Sequence, residues 1–343
     1  MRTQGRPYRH VMLHLRSLIT GTGSYLPPRI VTNQELAKQF NTTDEWIREK
    51  IGIRERRFVD EGVGTSDLGL KAAKRALEAA GRKPTDIDCI LFATSTPEYF
   101  APGSGVLLQK KLGCHKIPAF DIRNTSPGFL FSLELGDQMV RTGKYQCILV
   151  VASEIHSTGL DFSDRGRTMS VIFGDGAGAV VIEPTEGNHG IVTTRLRSDG
   201  TFFDKLWCEA PASLYHPRIT PQMIEEGKVY PTMDGRLVFE NAVQLMSLVS
   251  HEVLVGQNLT VDQVRHVNPH QANLRIIEAI ASTLKIPKER VHHNIETRGN
   301  TSAASIPILL DETVKSGKIK EGDLVLMMSF GSGFSWGAGL VRW

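Results

Sequence analysis

The residues best equipped for chemistry fall in a few short stretches of the chain. Ser126 lies in AFDIRNTSPGFLFSLELGDQMV (119–140), between an apolar segment and an amphipathic one. A serine at a helix N-terminus is a candidate nucleophile, because the helix dipole stabilises negative charge that develops there. The plain alternative is a helix cap, with Pro127 in the first turn and Gly128 allowing close packing. His270, in NPHQANLRI (268–276), closes a strand and opens a helix. Asn300, in RGNTSAASIP (298–307), precedes a helix that the following Ser and Thr residues could cap. Structural roles are the plain alternatives for both. The run SFGSGFSWGAGL (329–340) is rich in small residues, which let backbone approach a ligand and present an N–H to a developing oxyanion. A second glycine-rich run, FGDGAGAVVIEP (173–184), lacks the lysine of a phosphate loop and opens no helix, which argues against nucleotide binding.

These stretches need a scaffold, and the rest of the sequence supplies an α/β one. TSDLGLKAAKRALEAAG (65–81) has a Thr/Ser start, apolar residues at helical spacing and a stop glycine. IDCILFAT (87–94), CILVVA (147–152) and LVLMM (324–328) are short continuous apolar runs, the pattern of strands buried on both faces. The order of elements also repeats. Helix end, turn and strand at 77–94 recur at 253–270, and helix end, Gly-Lys and strand at 139–153 recur at 313–329. A chain with such an echo is expected to be two similar halves, 18–185 and 186–343.

The 343 residues carry 40 Lys+Arg against 37 Asp+Glu, a net charge of +3 that does not point to a nucleic-acid partner. The sequence contains no apolar run of the roughly 20 residues a membrane-spanning helix needs. Four cysteines without C-x-x-C spacing read as reduced thiols in a reducing, cytoplasmic setting rather than a disulfide or zinc framework. Residues 1–17 are basic and acid-free, and read as an N-terminal extension outside the fold, with Met12 a possible start.

Taken together, ITGTGSYLP, TTDEWI..KIGIRERR, FGDGAGA, PHQANLRI, GNTSAASIP and FGSGFSWG resemble the β-ketoacyl-acyl-carrier-protein synthase III family from about Leu18 to Trp343. The resemblance implies a thiolase fold, with two duplicated halves forming a five-layer αβαβα sandwich, in a homodimer. It implies decarboxylative Claisen condensation of an acyl-CoA primer with malonyl-acyl carrier protein, with no metal or redox cofactor. It assigns the nucleophile to Ser126, the enolate-stabilising pair to His270 and Asn300, and the oxyanion hole to the N–H groups of Ser126 and Ser332. Trp46 and Arg165 would clamp the coenzyme A adenine. Lys50, Arg54, Phe239 and Asn273 would line the coenzyme channel, and Arg275 would meet the carrier protein.

The sequence departs from the family pattern at telling places. The family places cysteine where Ser126 stands, so the chain is either a serine-using relative or a Cys→Ser variant. An acyl-CoA-dependent acyltransferase acting through Ser126, or a catalytically degenerate partner subunit, are the rival readings. Ser282, Thr283 and Glu240 stand where the docking face usually carries lysines, Lys50 replaces an arginine and Arg236 an asparagine. The loop-like stretch 208–232 is longer than in short members, so the resemblance does not set acyl chain length.

Overall fold

The computed structural model describes residues 15–343. Strand β1 (Leu15–Tyr25) begins inside the segment that the sequence places outside the fold. Leu15, Arg16 and Ser17 pair with Glu186, Thr185 and Pro184, and the buried Ser17 hydroxyl donates to Asp137 Oδ1 at 2.8 Å. The extension therefore ends earlier than expected; residues 1–14 lie outside the described residues.

The first sheet adds β2 (Cys89–Ala93), β3 (Ala119–Ile122), β4 (Ile148–Glu154) and β5 (Gly176–Glu186), in the order β1-β5-β4-β2-β3. Strands β4, β2 and β3 are parallel, while β5 runs antiparallel to β4 and to β1. The second sheet contains β6 (Gly190–Ser198), β7 (His266–Pro269), β8 (Leu324–Gly331) and β9 (Ser335–Arg342), in the order β7-β8-β9-β6. Here β7 and β8 are parallel, and β9 returns antiparallel. Reading β6-β9-β8-β7 against β1-β5-β4-β2 gives the same topology twice.

Seven helices concern the site: α1 (Asp44–Lys50), α2 (Thr65–Ala79), α3 (Ser104–Leu112), α4 (Gly128–Arg141), α5 (Gly235–Val255), α6 (Leu274–Thr283) and α7 (Ser305–Lys315). Side chains alternate across each strand and so assign every layer. Along β2, Cys89, Leu91 and Ala93 face α4 and α7, whereas Ile90 and Phe92 face α2 and α3. Along β8, Val325 and Met327 face α4 and α7, whereas Leu324, Leu326 and Met328 face α5 and α6. The result is five layers, with α4 and α7 sandwiched between the sheets. Because both faces of each strand are covered, these strands are continuous apolar runs rather than alternating ones.

The echo in the sequence maps onto this topology. Helix α2, a 3₁₀ turn at Pro84–Asp86 and β2 correspond to helix α5, a 3₁₀ turn at Val261–Gln263 and β7. Helix α4 and β4 correspond to α7 and β8. The two central helices thus start on the same side of the molecule, where the motif residues gather.

Candidate active site

Ser126 follows β3 and precedes α4. The helix takes Pro127 as its N-cap, with no side-chain capping bond. Pro127 therefore stands just before the first turn rather than in it, and the Ser126 hydroxyl is not used for capping. Its hydrogen-bond partner is the Ser302 hydroxyl, at 3.3 Å. Thr125, immediately before it, has a left-handed φ of 46°. A non-glycine residue there costs on the order of 1–3 kcal/mol and marks a backbone held in place by its surroundings.

Asn300 is fixed from both sides. Its N–H donates to Ile172 O at 2.9 Å and its carbonyl accepts from Gly174 N–H at 3.0 Å. Its side-chain Oδ1 accepts from Ser302 N–H at 2.8 Å. With the amide oxygen engaged, Nδ2 is the end left to donate to a ligand. The helix beyond is not capped by a Ser or Thr side chain, contrary to expectation. A 3₁₀ turn, Ser302–Ala304, leads into α7, whose N-cap is Ala304.

His270 stands just past β7, with its N–H bonded to Met328 O at 2.8 Å. The ring is buried, and Nδ1 lies 2.6 Å from Ser305 Oγ. Burial, with His156 nearby, lowers its pKa to about 3, so the imidazole is neutral at pH 7. Ser305 Oγ also accepts from Gln271 N–H at 3.4 Å. It can then donate to Nδ1, leaving the ring proton on Nε2 as a second donor.

The Gly331–Ser332 segment closes the site. A Cβ on Gly331 would lie 2.7 Å from Thr125 Oγ1, 2.9 Å from Pro127 Cδ and 3.1 Å from Ser126 N, so only glycine allows this approach. Among the described residues, neither Ser126 N–H nor Ser332 N–H donates a backbone hydrogen bond, which leaves both free to donate to a ligand. The Ser332 hydroxyl is tied to Leu206 O, at the root of the 208–232 stretch. That stretch is a flap: Leu206–Trp207 pairs with Thr232–Met233 at its base, and a short helix, Pro221–Glu225, lies within it.

One turn thus contacts three sequence-predicted residues. Ser302 touches Ser126 and Asn300, and Ser305 touches His270. Sequence reading missed both serines, although their spacing of three puts them on one face of a helical turn.

The residues expected to meet the coenzyme sort differently. Trp46 is half-buried on α1, and the guanidinium above its ring, 4.1 Å from the centroid, belongs to Arg167. Arg165 bonds Asp161 Oδ2 at 2.6 Å and Glu225 O at 2.7 Å, and leans over Tyr230. The expected Trp46–Arg165 clamp is therefore not formed in this structure. Asn273 caps α6 and donates to Lys50 O at 3.1 Å, which brings Lys50 beside the start of that helix. Lys50 pairs with Glu49 at 2.7 Å, and Arg275 lies over Phe239, 5.9 Å from its ring centroid. Arg54 is exposed close by, its N–H bonded to Glu296 O at 2.8 Å. Arg236 pairs with Glu240 at 2.8 Å, so this acid, standing where a lysine is usual, has its charge answered locally.

Known proteins similar in sequence point to one family. Residues 120–200 match the 3-oxoacyl-[acyl-carrier-protein] synthase III family, and residues 254–343 match its C-terminal family. The β-ketoacyl-acyl-carrier-protein synthase III of Thioalkalivibrio sulfidiphilus is 43% identical over 324 residues, 94% of this chain and 98% of that protein. The chain belongs to the β-ketoacyl-acyl-carrier-protein synthase III family. The synthase III of Rhizorhabdus wittichii is 44% identical over 96% of this chain and 99% of its own. The crystal structure of the Aquifex aeolicus synthase III superposes with a TM-score of 0.88 at 40% identity, covering 95% of this chain and all (100%) of that one. The priming β-ketosynthase of the R1128 polyketide pathway gives 0.88 at 34%, covering 98% of both chains. The fold is the thiolase fold, and the protein is a condensing acyltransferase.

The cysteines of the chain offer no substitute for a thiol at position 126. Burial pushes Cys89 and Cys147 up to about 12, and raises Cys114 and Cys208 as well. Such thiols carry little thiolate at pH 7.

Buried histidines are also expected to make the fold acid-sensitive. His270 is lowered to about 3, and His156 and His292 to about 4, each chiefly by burial. Below their ordinary value of 6.5 the unfolded chain binds protons that the folded one does not, so stability falls as pH drops from 6.5 toward 4. His292→Gln is expected to flatten the slope of Tm against pH across that window. An unchanged slope in calorimetry would show that His292 is not held neutral.

Proposed function

We propose that this chain condenses an acyl-CoA primer with malonyl-acyl carrier protein, through an acyl group carried on Ser126. The observation that carries this reading is the shared turn linking Ser126, Asn300 and His270. In the first step Ser126 Oγ attacks the thioester carbonyl, and the oxyanion is held by Ser126 and Ser332 N–H. In the second, the malonyl thioester carbonyl receives hydrogen bonds from His270 Nε2 and Asn300 Nδ2. Carbon dioxide leaves, the enolate is stabilised, and its carbon attacks the acyl-serine ester. The Ser126 alkoxide departs and takes a proton from water, which restores the hydroxyl. No electron transfer is involved, so the sequence needs no redox cofactor.

The decisive experiment is intact-protein mass spectrometry after incubation with a series of acyl-CoAs, paired with carbon dioxide release from malonyl-thioester. An adduct on Ser126 with carbon dioxide release supports condensation. An adduct transferred to an alcohol, without carbon dioxide release, supports the acyltransferase, which the oxygen nucleophile favours. Neither adduct nor release supports a degenerate partner subunit.

The coenzyme is taken to lie across Trp46, with Lys50, Arg54 and Arg167 near its phosphates, and Arg275 to meet the carrier protein. Trp46→Ala is then expected to weaken acyl-CoA binding roughly 10- to 100-fold, the worth of one base stack. Short pantetheine thioesters, which lack the adenine, should be turned over almost as before. Equal loss with both substrates, or a large fall in Tm, would make Trp46 a core residue.

A second copy of the chain is taken to cover the β3 edge. This edge strand exposes Phe120 (43%) beside Phe100 (77%) and Tyr99 (60%), large apolar groups that an isolated surface seldom carries together. The described residues contain no helix long and apolar enough to cross a membrane, and cytoplasmic action fits their free thiols.

A further inference from the structure

The loading step needs something the site described so far lacks. A serine hydroxyl is a weak acid and requires a base at the moment of attack. Its partner here, Ser302 Oγ, is another hydroxyl. His270 has Nδ1 committed to Ser305, and its proposed role is to donate to the enolate.

A second histidine stands unused near His270. His156 follows β4, at the carboxyl end of a parallel strand, the usual side for a site in an α/β sheet. Its ring stacks on Phe173, with centroids 4.4 Å apart and planes at 26°. Phe173 is the residue that bridges to Asn300 through the backbone. The ring is close enough to His270 for charge on one to disfavour charge on the other. Its Nε2 is buried and has no hydrogen-bond partner. Leaving a buried polar atom unpaired costs about 1–3 kcal/mol, so the fold keeps this nitrogen free at a real expense.

A carboxyl group lies behind it. Asp175 accepts from His156 N–H at 2.8 Å, Ser157 N–H at 3.0 Å, Val59 N–H at 2.9 Å and the Ser157 hydroxyl at 2.5 Å. Four donors on two oxygens suit an ionised carboxylate. Burial raises the Asp175 pKa, and the hydrogen bonds from Ser157 and Val59, with His156 nearby, oppose that rise. Asp175 does not bond the imidazole itself; it offers a nearby charge to any imidazolium that forms.

We propose that His156 is the general base for Ser126 in the acyl-loading step, an inference that rests on Ser126 being the acylated residue. With its ring proton on Nδ1, Nε2 accepts the hydroxyl proton once Ser126 turns from Ser302. As it does so, Oγ bonds to the thioester carbonyl carbon. The tetrahedral oxyanion then collapses, the C–S bond breaks, and the same proton passes to the departing coenzyme A thiolate. Catalytic hydrogen bonds are often long before substrate binds, which fits an Nε2 without a partner here.

The test measures the rate of acyl adduct formation by mass spectrometry in two backgrounds, the parent chain and Ser126→Cys. His156→Phe keeps the stack on Phe173, and His156→Gln keeps a polar group should the first fold poorly. Acylation at Ser126 is expected to slow about 10²- to 10⁴-fold in both variants, the usual worth of a general base. In the Ser126→Cys background the loss is expected to stay under about 10-fold, because a thiol at a helix N-terminus ionises without a dedicated base. Equal losses in the two backgrounds would reduce His156 to a packing residue, and no loss at Ser126 would overturn the proposal while leaving Ser126 as the nucleophile. A parent chain that forms no adduct would overturn both readings together.

Discussion

Ser126→Cys is expected to raise condensation by on the order of 10²-fold or more, the largest gain any single change offers. The rest of the site is suited to a thiol. Position 126 lies at the start of a 14-residue helix whose capping residue leaves the first-turn N–H groups without a side-chain acceptor. A thiolate there is stabilised by the helix dipole and by the Ser302 hydroxyl, now 3.3 Å from Oγ. The four existing thiols are all raised by burial and cannot contribute. The measurement is β-ketoacyl product formed from acyl-CoA and malonyl-thioester by parent and variant at equal concentration. A strong gain marks a synthase site in which serine, even with a base to take its proton, loads more slowly than a thiolate. Fast turnover by the parent with no gain on substitution would instead mark a site tuned for serine, in which loading does not limit the reaction.

How far the sequence carried can be judged residue by residue. The buried strands were legible because helices cover both faces of each sheet, which forces continuous apolar runs such as Cys89–Ala93. Motif order was legible because Ser126, His270 and Asn300 each sit at an element's end, where glycine, proline and small polar residues punctuate the pattern. What escaped depends on contacts remote in sequence. Leu15–Ser17 read as extension because their partners, Pro184–Glu186, lie at the far end of another strand. Arg165 and Arg167 stand two apart in one polar loop, and only the packing of the flap at Glu225 decides which of them reaches Trp46. His156 gave no signal at all. It follows a buried strand among polar residues, and what distinguishes it is an empty hydrogen-bonding position that sequence does not display.

Malonyl decarboxylation should separate from acyl loading at Asn300. His270→Ala and Asn300→Ala are each expected to slow carbon dioxide release about 10²- to 10³-fold, the cost of removing one preorganised oxyanion donor. The hydrogen bonds refine this expectation. Asn300 Oδ1 holds Ser302 N–H at 2.8 Å, and Ser302 in turn touches Ser126. Deleting the whole amide therefore loosens the Ser302 turn, which already carries a left-handed φ of 48°, and some loss of loading follows. Asn300→Asp avoids this. Its carboxylate keeps an acceptor for Ser302 N–H but replaces the Nδ2 donor with an oxygen that repels an enolate. The aspartate variant is thus expected to load Ser126 at close to the parent rate while losing decarboxylation at least as severely as alanine. Carbon dioxide release measured alongside adduct formation decides the matter. Full decarboxylation in either Asn300 variant would remove this residue from the enolate site. Parallel loss of both steps in Asn300→Asp would mean that the amide serves the fold of the turn rather than the chemistry.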